Sequence, residues 1–161
     1  MTEKKKPDVM ENALKKLARR SMAEAEMRDF LRRKGASEEE LEPVIRELRD
    51  LGYLNDKEYC RMYFDHAFRK NKSRRLVFLE LEEKGIADEV IAAAYRDYQD
   101  EGDAPDEAEL AGKEARRMLR EAGLTENDPV PEKIRGRIAR KLYSRGFAES
   151  LIYDVLDDLK R

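Results

Sequence analysis

The stretch Leu31-Arg32-Arg33-Lys34-Gly35 decides the fold, because the chain writes it three times. It returns as Leu81-Glu82-Glu83-Lys84-Gly85 and as Leu142-Tyr143-Ser144-Arg145-Gly146. Apolar residues keep one spacing around each copy. Leu31, Leu81 and Leu142 stand four residues before the glycine, and Met27, Val77 and Ile138 stand eight before it. Leu41, Ile91 and Ile152 stand six after it, and Ile45, Tyr95 and Leu156 ten after. Steps of four follow the helical period, so one apolar helix enters each glycine and another leaves it. A glycine behind Lys or Arg suits a helix end: it accepts a left-handed backbone, and the cation meets the negative end of the helix dipole. The chain is thus predicted to repeat one helix-turn-helix-like unit.

Working outward, Ser21 and Glu24 read as a capping box for the helix of Met27, Phe30 and Leu31. Ser37 reads as the N-cap of the helix carrying Leu41, Val44, Ile45, Leu48 and Leu51. An earlier stripe of Ala13, Leu14, Leu17 and Ala18 adds a first helix to this unit. Asn55-Asp56 caps the second unit's first helix, with Tyr59, Cys60, Tyr63, Phe64 and Ala67 on one face. Ala108, Ala111, Ala115, Met118, Leu119 and Ala122 open the third unit, and Pro131 suits the first turn of its middle helix. No strand-like alternation runs for any length. The expected fold is all-α: three tandem three-helix repeats at 10–52, 53–99 and 107–161, with a flexible tail at 1–9 and an acidic linker at 100–106. Each repeat has a thin core, so stacking is expected, in an elongated array with scope for curvature.

Charged residues make up 43% of the 161, yet the net charge is only −2, so any nucleic-acid or acidic partner must be met by local charge. Cys60 is the single cysteine, which forbids an intrachain disulfide and fits a reducing compartment. No apolar run approaches the roughly 20 residues of a membrane span, and the start lacks a secretory apolar core, so a cytoplasmic protein is expected. His66 is the only histidine, and phosphate-binding glycine loops and metal-ligand spacings are missing. Neither an enzyme, a cofactor nor a metal site is expected, and Cys60 reads as a small packing residue.

Charge sorts by position within the unit. The helix before the glycine is basic in the first copy (Arg28, Arg32, Arg33, Lys34) and in the third (Arg135, Arg137, Arg140, Lys141, Arg145). The helix after it is acidic, as in Glu38-Glu39-Glu40 and in Glu149, Asp154, Asp157 and Asp158. A DNA-reading helix-turn-helix places that second helix against phosphates, which these carboxylates oppose. Dipole matching accounts for Lys34, Lys84, Arg145 and the Glu38–Glu40 run. It does not account for Arg69-Lys70-Asn71-Lys72-Ser73-Arg74-Arg75, where five of seven residues are basic. That run reads either as a solvated loop or as a contact for phosphates or an acidic surface.

At this point the motifs resemble the RecX family of recombination regulators. The pieces are Leu31-Arg-Arg-Lys-Gly35 with Leu41 and Ile45; Leu54-Asn-Asp-Lys-Glu-Tyr-Cys60; Glu80-Leu-Glu-Glu-Lys-Gly-Ile86; and Arg145-Gly-Phe-Ala-Glu-Ser-Leu-Ile152 with Val155-Leu156. Ala23 and Ala148 depart from the family's usual capping residues, and Asn71 and Ser73 stand where it often has glycine. The resemblance implies a monomeric, non-catalytic protein that binds the RecA filament on single-stranded DNA, in the filament groove. It would limit the recombinase's ATPase, strand-exchange and coprotease activities, and so act in DNA repair, recombination and the SOS response. DNA itself, single-stranded or duplex, is an expected weak contact. The candidate partner-binding residues are Arg69, Lys70, Lys72, Arg74 and Arg75, with Arg32, Arg33, Arg137 and Arg140 beside them. The alternative is a stand-alone helix-turn-helix transcription regulator that binds DNA.

Overall fold

The computed structural model describes residues 5–160, and every regular element among them is an α-helix. In order these are α1 (Lys5–Arg19), α2 (Glu24–Arg33), α3 (Glu38–Asp50), α4 (Asp56–Arg69), α5 (Arg74–Glu83), α6 (Asp88–Asp100), α7 (Glu107–Glu121), α8 (Glu132–Ser144) and α9 (Glu149–Asp158). Nine helices among the described residues make three three-helix repeats, and each glycine turn joins the second helix of a repeat to the third. Gly35 and Gly146 hold φ of +95° and +87°, the left-handed conformation that a residue with a Cβ resists. Ser37 caps α3 as its position suggests: its hydroxyl accepts from the Glu40 N–H at 3.2 Å, and the Glu40 carboxylate accepts from the Ser37 N–H at 3.0 Å.

Three local expectations are corrected. α1 already begins at Lys5, with Pro7 in its first turn, where a missing N–H costs nothing, and Val9 is buried. Residues 1–4 of the expected tail lie outside the described residues. Ser21 does not cap α2, because the helix starts later, behind Ala23. Finally, the buried face of α7 is Leu110, Ala111, Glu114, Ala115 and Leu119, while Ala108 and Ala122 are exposed. The face turns because Glu114 finds polar partners inside, described below.

The start of α2 shows how the missing cap is replaced. The Glu26 carboxylate accepts from the Ala23 N–H at 3.0 Å, and Asp56 Oδ1 accepts from the Glu24 N–H at 2.8 Å. Asp56 is the first residue of α4, so the next repeat supplies the cap. The device recurs at α5, where the Glu107 carboxylate accepts from the Arg74 N–H at 3.2 and 3.3 Å. Glu107 is the first residue of α7. Burial pushes both carboxyls above their usual range, although the backbone N–H bonds oppose the shift.

The helices compact into two units, residues 5–62 with 81–97 and residues 63–80 with 98–160. The first is centred on Ala13, Met27, Leu31, Leu41, Ile45 and Leu48, all fully buried. In the second, Phe64 lies 5.2 Å from the Tyr98 ring and 6.3 Å from Phe78, an aromatic group that fills the space between three helices. The hydroxyl of Tyr98 donates to Asp65 at 2.7 Å. Among the described residues no buried side-chain nitrogen or oxygen lacks a partner.

Candidate interaction surface

The basic run 69–75 forms a tight turn held chiefly by its backbone and by Asn71 and Ser73. Asn71 adopts φ +58°, one of the few non-glycine residues suited to that region, and Ser73 Oγ caps α5 by accepting from the Leu76 N–H at 3.1 Å. The Ser73 N–H donates to the Arg145 carbonyl at 3.0 Å, and Arg145 NH1 donates to the Lys70 carbonyl at 3.0 Å. Asn71 Nδ2 donates to Glu114 at 3.3 Å. Together with Glu107, these bonds fasten the turn to the third repeat. The backbone of the run is therefore fixed, while Arg69, Lys70 and Arg75 face solvent.

Glu114 is the anchor that sequence reading missed. It is 1% exposed, and Arg117 grips it twice, Nε at 2.9 Å and NH2 at 2.6 Å. Burial alone would raise its carboxyl, but the bonds from Arg117 and Asn71, with Arg145 nearby, outweigh burial and hold it below its usual range. Arg117 also pairs with Glu121. The spacing of Glu114 from Leu110, with Ala111 and Ala115 on the same face, was the available signal. It was hidden by the general expectation that helix carboxylates face water.

With the turn held by carbonyls, amides and carboxylates, most of its cations stay unspent. Arg69, Lys70 and Arg75 are exposed and make no ion pair among the described residues. Lys72 is different: its ammonium sits on Glu80 at 2.9 Å and is half-buried, which makes it a strut of the turn. Arg74 is exposed and lies in the field of Glu107. In the third repeat Arg137 and Arg140 are exposed and unpaired among the described residues, as is Lys133. Arg135, by contrast, turns inward and donates to the carbonyls of Leu156 and Leu159 at 2.5 and 3.5 Å, closing the end of α9.

The first repeat handles its cations otherwise. Arg28 makes bonds of 2.5 and 2.9 Å to Glu42 and reaches Glu24 as well. Arg32 bonds Glu38 at 2.8 Å and Asp29 at 3.0 Å, so its charge is already matched. Only Arg33 of that pair is exposed without an ion pair among the described residues. The structure therefore leaves Arg69, Lys70 and Arg75 exposed around one turn, Arg69 ending α4 and Arg75 in the first turn of α5. Arg137 and Arg140 lie on the helix whose end bonds that turn, and Arg32 and Lys72 are committed elsewhere.

Other chemistry-bearing residues are quiet. His66 is exposed, and burial pushes the Cys60 thiol up to about 12, so it packs as an apolar group. Among the described residues no three His, Cys, Asp or Glu side chains gather as metal ligands. No helix among them is long and apolar enough to cross a membrane.

Residues 10–48 match the family model for the first three-helix domain of RecX, and residues 55–94 match that for the second. The regulatory protein RecX of Amycolatopsis mediterranei is 32% identical over 141 residues, which cover 87% of this chain and 78% of that protein. The Listeria welshimeri protein of the same name is 26% identical over 160 residues; this chain spans 58% of its length. A crystal structure of RecX from Lactobacillus salivarius superposes with a TM-score of 0.72 at 23% identity, covering 98% of this chain and 97% of that one. A second crystal structure of regulatory protein RecX gives 0.73 at 23% identity, over 97% of this chain and 75% of that one.

Proposed function

The chain belongs to the RecX family of regulatory proteins, and on that premise we propose that it binds the RecA recombinase filament on single-stranded DNA and restrains it. The restraint covers ATP hydrolysis, strand exchange and coprotease activity. The protein acts as a cytoplasmic monomer that lies in the filament groove. One observation carries the choice of contact surface: Arg69, Lys70, Arg75, Arg137 and Arg140 are exposed cations that the fold does not neutralise. Unpaired cations keep their attraction for an anionic partner, whereas Arg32 and Lys72 would first have to break their own pairs. Arg33 and Arg74 are secondary contacts. A repeated partner surface suits a chain built of repeats.

A stand-alone duplex-reading protein fits less well. The helices after the glycine turns present Glu38 and Glu39 on α3, and Glu149, Asp154, Asp157 and Asp158 on α9, all exposed. Those carboxylates would face phosphates in a major groove. The test is the DNA-dependent ATPase of RecA with added protein. Hydrolysis should fall as the protein approaches the recombinase in concentration. Unchanged hydrolysis, together with sequence-preferring duplex binding in a gel shift without RecA, would favour the transcription-regulator reading instead.

A further inference from the structure

We propose that the outward face of α8 is a binding site for single-stranded nucleic acid, with Tyr143 as a base-stacking residue. The setting rests on the filament reading above, since the filament holds such a strand, but the site is argued from its own chemistry. Between Lys133 and Arg145 the chain has six cations, Lys133, Arg135, Arg137, Arg140, Lys141 and Arg145, and no carboxylate. Arg135 is turned inward, and Arg145 is bound to the Lys70 carbonyl. Lys133, Arg137, Arg140 and Lys141 are left without an ion pair among the described residues. They form an uninterrupted anion-attracting face, which matches a chain of phosphates.

Tyr143 flanks that face on the Arg140 side, at 75% exposure the highest of the exposed large apolar side chains among the described residues. Its hydroxyl has no partner among the described residues, whereas those of Tyr98 and Tyr153 bond Asp65 and Glu149. Gly136, Arg140 and Tyr143 follow one another at helical steps of four and three, so they share one row of the helix. Gly136 keeps this row low: Arg140 NH1 lies 3.3 Å from where a Cβ would stand there, so the guanidinium lies along the helix surface. An exposed ring beside a low-lying guanidinium offers planar groups to unstacked bases, while nearby cations hold the backbone. A duplex keeps its base faces stacked inside and would leave Tyr143 unused. An acidic protein surface would satisfy the cations without engaging bases.

The test measures fluorescence anisotropy of the full chain with a labelled oligothymidine of about 20 nucleotides and with an abasic deoxyribose-phosphate strand of equal length. Wild type should bind the oligothymidine more tightly. Tyr143→Ala should lower that affinity about tenfold and leave abasic binding unchanged, while Tyr143→Phe should restore it. Arg137→Ala with Arg140→Ala should weaken both probes and reduce the log–log salt slope by about 1.4. Equal binding of the two probes, or a Tyr143→Ala protein that binds oligothymidine like wild type, would overturn the site. So would absence of binding to either strand, which would assign the cations to an acidic protein surface. Because this assay contains no recombinase, it separates from the ATPase test. Inhibition that persists without Tyr143-dependent binding defeats only the strand site, and strand binding without inhibition defeats only the filament reading.

Discussion

The two compact units share the device of a borrowed cap but differ in how they treat their remaining charge. In the unit containing the first repeat, Asp56 is drawn in to cap α2, but the other carboxylates match the basic helix at the surface: Glu42, Glu24, Glu38 and Asp29 take up Arg28 and Arg32. In the unit containing the third repeat, carboxylates move inward. Glu114 and Glu107 fasten the turn at 70–74, while Arg69, Lys70 and Arg75 make no ion pair among the described residues. Repeats of one design have thus diverged, one toward internal balance and the other toward an outward positive face. Exposed pairs contribute little stability, about 0–1 kcal/mol each, so the difference concerns what the surface offers a partner more than how firmly each unit folds.

The sharpest way to break this contrast is charge reversal on each side. Arg69→Glu with Arg75→Glu and Arg137→Glu should raise the concentration for half-inhibition of the recombinase ATPase at least about tenfold, since like charges at an interface cost several kcal/mol. Arg32→Glu with Arg28→Glu should shift it by less than about twofold, because those cations serve their own helices. Equal losses from the two sets would erase the distinction between the units.

Much of this was legible in the sequence, and the remainder has a common cause. The Leu-x-x-Lys/Arg-Gly turns, the Ser37 cap and most of each apolar face depend on residues a few positions apart, so periodicity finds them, although it also counted Leu14 and Leu51, which are 42% and 60% exposed. The caps at Glu24 and Arg74 come from residues 32 and 33 positions away, Asp56 and Glu107. For α2 local reading offered only Ser21, whereas Ser73, adjacent in sequence, does share in capping α5. The nine candidate cations were likewise legible as basic residues, but pairing sorted them. Arg32 and Lys72 are lost to Glu38 and Glu80, and Lys72 finds its acid two turns along the following helix. Glu114 was invisible because a buried carboxylate is identified by its partners, and Asn71 lies 43 residues away.

Glu114 also sharpens the comparison through stability. Glu114→Ala should cost about 1–3 kcal/mol in chemical denaturation, since it leaves Arg117 and Asn71 without their shared acceptor. No surface glutamate of the first unit should approach that loss. The sign with pH follows from the lowered carboxyl. Its contribution is fully present above the unfolded value of about 4.3 and is lost as pH falls through the lower folded value. Acid unfolding should therefore be shallower for Glu114→Gln than for wild type below about pH 4.3.

The glycine turns give a smaller, paired contrast. A methyl at Gly35 would meet open space, whereas one at Gly146 would fall 2.5 Å from Ser73 Oγ and 2.9 Å from Leu76 Cβ. Both substitutions to alanine carry the left-handed cost of about 1–2 kcal/mol. Gly146→Ala should lower the midpoint of denaturation further than Gly35→Ala, because it also pries the basic turn from α8. Equal midpoints would mean that the turn at 70–74 yields without cost.

The smallest effect expected is at the borrowed cap of the first unit. Asp56→Ala removes the acceptor of the Glu24 N–H and should cost about 1 kcal/mol, the usual value of a lost N-cap. Asp56→Asn keeps an oxygen at that place and removes the charge. Because burial raises the Asp56 carboxyl, its ionised form is disfavoured in the folded chain: stability falls as pH rises from the unfolded value through the folded one. Asparagine escapes that loss, so Asp56→Asn should denature at or slightly above the wild-type midpoint at pH 7, and the difference should vanish in acid. If Asp56→Asn instead fell as far as Asp56→Ala, the charge and not the hydrogen bond would be what α2 takes from its neighbour. The first unit would then balance charge within its interior as well as on its surface.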